Sequence, residues 1–383
     1  ARRIEALGRE WNAARAWGVR DRGQWVGTLR SERRSLTVPG AGDGTAEVWV
    51  DAVTNVTVAG THRRRGLMTR MLDGSLRAAR DRGDPISILI AAEWPIYGRF
   101  GYAPATLSAD YVLRRSRPGA TCAGDSTRVR QVEIRELGEL APRVYAAARR
   151  RRAGQIDRYQ PWWNRVLGLD GYTAFEDLPQ NWFVHEGDAG PDGLLGWKPN
   201  GHFGLIPPLA TVEAWDLTSA NDVAYQNLWS YLSGIDGIDH VNLPNRPVDE
   251  PIRWLLADAR TLVLSEQFDF LWLRLLDVPV ALAARRYAVA DEIVLQVVDE
   301  QSERFAQGRY RLRADGEVVS CERTAQDADV EITQLALASI YLGGFRVRQL
   351  LLTGGLRERT PGALGRLDLL FSTPLAPWNG TSF

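Results

Sequence analysis

Three stretches of the chain carry residue types that could do chemistry. The first is Arg63-Arg64-Arg65-Gly66, set between a β-branched run ending at Val58 and an apolar-periodic stretch beginning at Leu67. The first turn of a helix leaves backbone N–H groups unpaired, and its dipole favours an anion there, so this order suits a pyrophosphate. Gly66 lets backbone approach closely, and Arg64 and Arg65 add charge and forked donors. Many ordinary surface helices also begin with arginines and a glycine, so the motif alone leaves both readings open. The second stretch is Ile96-Tyr97-Gly98-Arg99-Phe100-Gly101-Tyr102. Tyr97 is there either as an active phenol or as a core aromatic beside Phe100 and Tyr102. The third is Phe383, reached through Pro374 and Pro377. Most chain ends are unstructured, but an aromatic end on a Pro-constrained approach could aim its carboxylate.

These residues need elements to hold them. A hairpin is predicted from Gln24, reversing through Val38-Pro39-Gly40-Ala41-Gly42-Asp43-Gly44 and returning over 46–58, where Val48, Val50, Val53, Val56 and Val58 favour a strand. In the next stretch Leu67, Met71, Leu72, Leu76 and Ala79 share a helix face, and Asp81-Arg82-Gly83-Asp84-Pro85 ends it. Residues 86–91 are a continuous apolar run, the mark of a strand buried on both faces. Around 117–125 the composition turns to Pro, Gly, Ser and Thr, a boundary. The middle, 126–278, mixes strands and helices without a Gly-rich phosphate loop. There 211–217 reads as a strand, and Ser219 and Asn221 can cap the helix running to Leu232. From Val280, short alternating segments (293–298, 309–313, 318–322, 330–332) and the apolar stretch 335–341 predict a separate α+β domain. The tail 374–383 is expected to be extended.

The order of strand, Arg-Arg-x-Gly helix, strand and aromatic turn resembles the GCN5-related N-acetyltransferases (GNAT). In that fold two neighbouring parallel strands splay apart and the pantetheine of acetyl-CoA lies in the gap. Val56-Thr57-Val58-Ala59-Gly60-Thr61-His62-Arg63-Arg64-Arg65-Gly66-Leu67, together with Ala92-Glu93-Trp94-Pro95-Ile96-Tyr97-Gly98-Arg99-Phe100-Gly101-Tyr102, is similar more narrowly to the Eis (enhanced intracellular survival) family. The likeness covers essentially the whole chain. It implies an α+β protein with two GNAT-like domains and a sterol-carrier-protein-like C-terminal domain. The expected boundaries are 1–120, 121–279 and 280–383, and Trp162-Trp163 lies in the second, cofactor-free domain. A strand and helix that the fold expects ahead of these residues are not evident, and 2–11 read like the middle of an amphipathic helix.

The resemblance also assigns roles. Val56, Thr57 and Val58 would pair with the pantetheine, with the Val58 N–H polarising the thioester carbonyl. Arg64, Arg65, Gly66, Leu67, Met68 and Thr69 would hold the pyrophosphate, and Ala92 and Glu93 would line the co-substrate from the neighbouring strand. Tyr97 would protonate the departing thiolate, and the Phe383 carboxylate would take the amine proton. Two positions depart from the family pattern: Gly60 stands where proline is usual, and Ala92 where serine is common. The implied reaction is direct acetyl transfer from acetyl-CoA to a primary amine of a polyamine-type acceptor, with aminoglycosides leading. A peptide or lysine amine, a secondary-metabolite amine, or a non-catalytic lipid- or partner-binding role are the alternatives. A homohexamer is also implied.

Composition excludes other classes. Of 383 residues, 47 are basic and 47 acidic, and this zero net charge disfavours a general polyanion binder, hence no nucleic-acid partner. The single lysine, Lys198, reflects arginine-biased composition rather than a phosphate site. The Arg149-Arg150-Arg151-Arg152 run reads as favourable charge at a helix C-terminus. Two cysteines, Cys122 and Cys321, and four scattered histidines leave no evident metal site and suit a reducing cytoplasm. His185, His202 and His240 read as surface or turn residues. No apolar run approaches the ~18–20 residues of a membrane span.

Overall fold

The computed structural model describes residues 12–42, 44–115, 119–169, 181–200, 210–316 and 318–383. The expected N-terminal amphipathic stretch, Asp43 in the hairpin turn, and His202 lie outside them. The described residues form three sheets, of six, seven and five strands. By contacts they divide into two units.

One unit comprises Asn12–Leu107, Arg152–Ile156 and Asp269–Phe383. Its first sheet is built from β1 (Ala16–Asp21), β2 (Gln24–Pro39), β3 (Thr45–Val58), β4 (Ile86–Ile90) and β5 (Ala103–Pro104), with helix α1 (Leu67–Asp81) between β3 and β4 and the short helix α2 (Trp94–Tyr97) after β4. The strand Leu271–Leu275 inserts antiparallel between β4 and β5, so the sheet is completed by residues far along the chain. The long β2–β3 hairpin forms because its return arm β3 is rich in β-branched residues and glycines supply its reversal. Helix α1 buries Met71, Leu72, Leu76 and Ala79 as its 3.6-residue spacing requires. It ends where Gly83 turns left-handed at φ +81°.

The five-stranded sheet of the same unit contains Asp291–Val298, Gly308–Asp315, Val318–Arg323, Val330–Thr333 and Leu356–Glu358, with helix Gln334–Ile340 following the fourth. Its buried residues share one core with Leu36, Val50, Ala52, Ile88, Ala103 and Leu273 of the first sheet. Residues 374–383 follow without helix or strand, yet Asn379 and Thr381 are buried.

The other unit, Ser108–Arg151 with Asp157–Phe268, holds the seven-stranded sheet. Its parallel pair, Ala210–Ser219 with Ile238–Arg246, is joined by helix Asp222–Gly234, whose N-terminus is capped by the Asn221 side chain on Ala224 N at 2.8 Å. Arg158 lies over the rings of Tyr145 and Trp162 and pairs with Asp216. His185 corrects the surface expectation, for it is fully buried on strand Asn181–Gly187. The Asp125 N–H donates to Asn227 Oδ1, so Asn227 Nδ2 must donate to His185 Nε2, and Nδ1–H donates to Asp192. Both ring nitrogens are satisfied, which is how an imidazole tolerates burial. Among the described residues no helix is long and apolar enough to cross a membrane.

Candidate active site

Strands β3 and β4 are parallel partners only at Asp51–Ser87 and Ala52–Ile88. Beyond them β3 runs on to Val58 with β2 on its other side, at Thr28–Thr57 and Gly27–Val58. The edge of residues 53–58 that faces away from β2 therefore has no β4 partner, and an extended amide chain could hydrogen-bond along it.

A β-bulge lies at the opening. The β2–β3 register slips between Thr28 and Arg30, where Asn55 adopts φ +54°. Asparagine is among the few residues that visit this region readily. One inserted residue swaps which side chains face which side of a sheet. Val53 packs with the α1 core, and after the bulge Val56 and Val58 do so too. Thr57 is left exposed, its hydroxyl 2.8 Å from that of Thr28. Without the bulge Asn55 and Thr57 would have faced α1.

At the start of α1, Arg64 and Gly66 both take left-handed angles, φ +61° and +72°. A Cβ on Gly66 would meet nothing within 4 Å, so backbone angle, not crowding, requires glycine here. No side chain caps this end, and the helical ladder opens with Arg70 N to Gly66 O at 3.1 Å. The N–H groups of Leu67, Met68 and Thr69 remain for a ligand. Arg64 and Arg65 are exposed beside them, and His62 braces the turn through Thr61 (2.8 Å) and Asp21 (3.0 Å). The crossover helix of the other unit differs in kind. Asn221 already occupies its N-terminus and Asp222 puts a carboxylate in its first turn, which repels an anion.

Ala92 and Glu93 are exposed in the bend after β4, and Tyr97 ends α2, 8% exposed. Its ring meets Tyr102 edge-on at 6.3 Å. Burial, then the Glu93 carboxylate, push the phenol above its ordinary pKa, and its hydroxyl has no hydrogen-bond partner among the described residues. The turn behind it is held from three directions. Arg274, fully buried, donates to Phe100 O, Gln334 donates to Gly101 O at 3.4 Å, and Phe305 enters the same core. Tyr102 in turn bonds Ser87 at 2.6 Å, at the first of the two parallel pairings that precede the gap.

Phe383 reaches the same strand from the opposite face. Its ring packs against the core that contains Val50 and Ala52, and its oxygen accepts from Thr54 Oγ1 at 3.0 Å. The structure thus collects Val56, Val58, Met68 and Tyr97 around one core and sets Phe383 on the other side of β3. Sequence reasoning missed Thr54, the bulge at Asn55, and the residues that hold the tail. Asn55 carried a faint signal, an Asn interrupting a β-branched run.

Parting a parallel pair over a phosphate-binding helix start is the architecture of the GCN5-related N-acetyltransferases, and the protein is an acetyltransferase of that class, using acetyl-CoA as co-substrate. Residues 1–105 and 154–275 each match an acetyltransferase (GNAT) domain family, and residues 278–380 match the sterol carrier protein domain. An uncharacterized N-acetyltransferase of Streptomyces griseus is 35% identical over 373 residues, covering 95% of this chain and 88% of that protein. The N-acetyltransferase Eis of Mycobacterium tuberculosis is 32% identical over 349 residues, covering 88% and 81%. The crystal structure of Eis1 from Mycobacterium abscessus superposes with a TM-score of 0.83 at 31% identity, covering 96% of this chain and 90% of that one. The chain belongs to the Eis family of N-acetyltransferases.

Proposed function

We propose that the protein acetylates primary amines of a polyamine-type acceptor, aminoglycosides foremost, by direct transfer with Tyr97 as acid and the Phe383 carboxylate as base. The observation that carries this reading is the Thr54–Phe383 hydrogen bond, which sets a carboxylate one residue before the bulge that opens β3. The pantetheine lies along Val56, Thr57 and Val58, its pyrophosphate on Arg64, Arg65, Gly66, Leu67, Met68 and Thr69, with Ala92 and Glu93 on the far wall. The amine lone pair attacks the thioester carbon and a C–N bond forms. The carbonyl oxygen takes up negative charge against the Val58 N–H. As the C–S bond breaks, Tyr97 gives its proton to the thiolate, and the Phe383 carboxylate takes one from the nitrogen.

Burial supports the assignment of Tyr97, since a phenol of raised pKa stays protonated at neutral pH. A free carboxylate of pKa ~3.5 is a weak base for an ammonium, so the half-buried position of Phe383 matters. Support for a cationic acceptor is the exposed indole of Trp94 beside Glu93, an aromatic face next to a carboxylate. A homohexamer, implied by the family, belongs to the same reading and is tested by sedimentation.

The test is thiol release from acetyl-CoA with the native C-terminus, across aminoglycosides and lysine-containing peptides. Turnover with several aminoglycosides upholds the proposal. Turnover with peptides alone replaces the acceptor class. Silence with acetyl-CoA still bound removes both acceptors.

A further inference from the structure

We propose that residues Arg152–Ile156 form a strap that anchors the C-terminal tail and thereby positions the Phe383 carboxylate, with Gly154 and Gln155 as positioning residues. The second half of this statement rests on the reading of that carboxylate as the base.

The strap is bonded on two sides. Toward β2, Thr37 N donates to Gln155 O and Gly154 N to Thr37 O, both at 2.8 Å. Thr37 Oγ1 donates to Arg152 O at 2.8 Å and accepts from Gln155 N at 2.9 Å, and Ile156 bridges Leu36. Toward the tail, Trp378 N donates to Ala153 O at 3.0 Å and Arg152 Nη1 to Ala376 O at 2.6 Å. Gly380 N reaches Gln155 Oε1 at 3.5 Å. The tail is therefore tied to the sheet through the strap. By contacts these residues belong with the first sheet, while those flanking them in sequence belong to the other unit. Between residues 108 and 268 the chain enters this unit for the strap alone.

Gly154 is demanded twice. Its φ is +95°, and a Cβ there would stand 3.0 Å from both Trp378 N and Trp378 O and 3.1 Å from Thr106 Cγ2. The tail backbone lies directly on the glycine. Past that contact the tail closes on itself: Asn379 Nδ2 donates to Thr381 O at 2.9 Å, and Thr381 N to Asn379 Oδ1 at 3.2 Å. Only Ser382 and Phe383 extend beyond this turn, a reach of roughly 7 Å. With so short an arm, a displacement at the strap passes to the carboxylate nearly undiminished. A misplacement of about 1 Å can cost on the order of 100-fold in rate.

The experiment uses the full chain with Gln155→Ala, which removes one tail contact mildly, and Gly154→Ala, which displaces Trp378. Release of Phe383 by carboxypeptidase is followed by mass spectrometry. Acetyl transfer is measured in each variant and again after a Gly-Gly extension that buries the native carboxylate in a peptide bond. The expected result is Phe383 release at least tenfold faster in Gln155→Ala, with folded circular dichroism and acetyl-CoA affinity unchanged. Its kcat falls severalfold in the native-length chain and falls no further in the extended one. Unchanged release overturns the strap. An equal fall in both backgrounds overturns positioning through the carboxylate. Faster release with undiminished kcat upholds the anchor and removes the carboxylate as base. Should Gly154→Ala fail to fold, Gln155→Ala decides alone.

Discussion

Thr54 and Phe383, separated by 329 positions in sequence, share a hydrogen bond of 3.0 Å from the threonine hydroxyl to the phenylalanine oxygen. The donor sits on the strand that runs on past its last pairing with β4, so the bond ties the last residue to the edge where chemistry is proposed. Thr54→Val keeps the shape and removes the donor. A hydrogen bond to a charged acceptor contributes about 1.5–3 kcal/mol, so kcat is expected to fall roughly tenfold or more. Acetyl-CoA affinity, measured by calorimetry, should not move. An unchanged kcat would show that Phe383 is aimed by its ring packing alone.

Asn55 decides which side chains line the α1 side of the gap. A β-branched residue at φ +54° meets the left-handed penalty of about 1–2 kcal/mol. Asn55→Val should therefore lower the melting temperature. If the chain escapes by flattening the bulge, Val56 and Val58 turn away from α1 and acetyl-CoA binds more weakly. Asn55→Gly accepts the angle and should keep its affinity. Equal affinities in the two variants would mean that the bulge does not shape the site.

Much of the first sheet was legible because its signals are local. Alternation over 46–58, the helical face of α1 and the Arg-Gly start each lie within a few turns of chain. The tail was legible as extended, since two prolines and a glycine forbid helix. What escaped depends on contacts distant in sequence. Nothing near Thr37 announces residues 152–156, and Arg152 read as part of a helix-end charge run. The strand Leu271–Leu275 completes a sheet begun at Ala16, a pairing that no local pattern announces. His185 looked like a turn residue from its glycine neighbours, and only Asn227 and Asp192 together make its burial tolerable. The Asn55 bulge depends on a register with β2 that no local pattern fixes.

Asp51, at the first parallel pairing with Ser87, is fully buried. Arg15 (2.7 Å), Arg82 (3.0 Å) and Ser31 (2.6 Å) bond its carboxylate, yet burial outweighs them and lifts its pKa to about 6. A folded carboxyl of raised pKa holds its proton where the unfolded one, near 4, has lost it. Its contribution is fully present below about pH 4 and is lost as pH rises through about 6. Urea denaturation of wild type and Asp51→Asn between pH 4 and 7 isolates this term. The variant is neutral at every pH and so lacks the Asp51 titration altogether. The wild-type advantage over it should shrink as pH rises from 4 to 6. An advantage that grows over that interval would mean that the ion pairs outweigh burial and hold the pKa below its ordinary value.

Tyr97 combines burial with an uncommitted hydroxyl, and both have consequences. Since the hydroxyl bonds no described residue, Tyr97→Phe breaks no internal contact, and the melting temperature should stay within a degree or two. Loss of a positioned acid costs about 10²–10⁴ in rate, so kcat should fall by that order while acetyl-CoA affinity is kept. The raised phenol pKa fixes the alkaline side of the profile. Tyr97 remains protonated through its ordinary value near 10, and kcat should show no Tyr97-dependent alkaline limb below that pH. Glu93→Gln removes the second cause of the shift, so the limb should move down in pH. A limb that is unmoved by Glu93→Gln and persists in Tyr97→Phe would belong to another group, and the proton for the thiolate would then have to come from elsewhere.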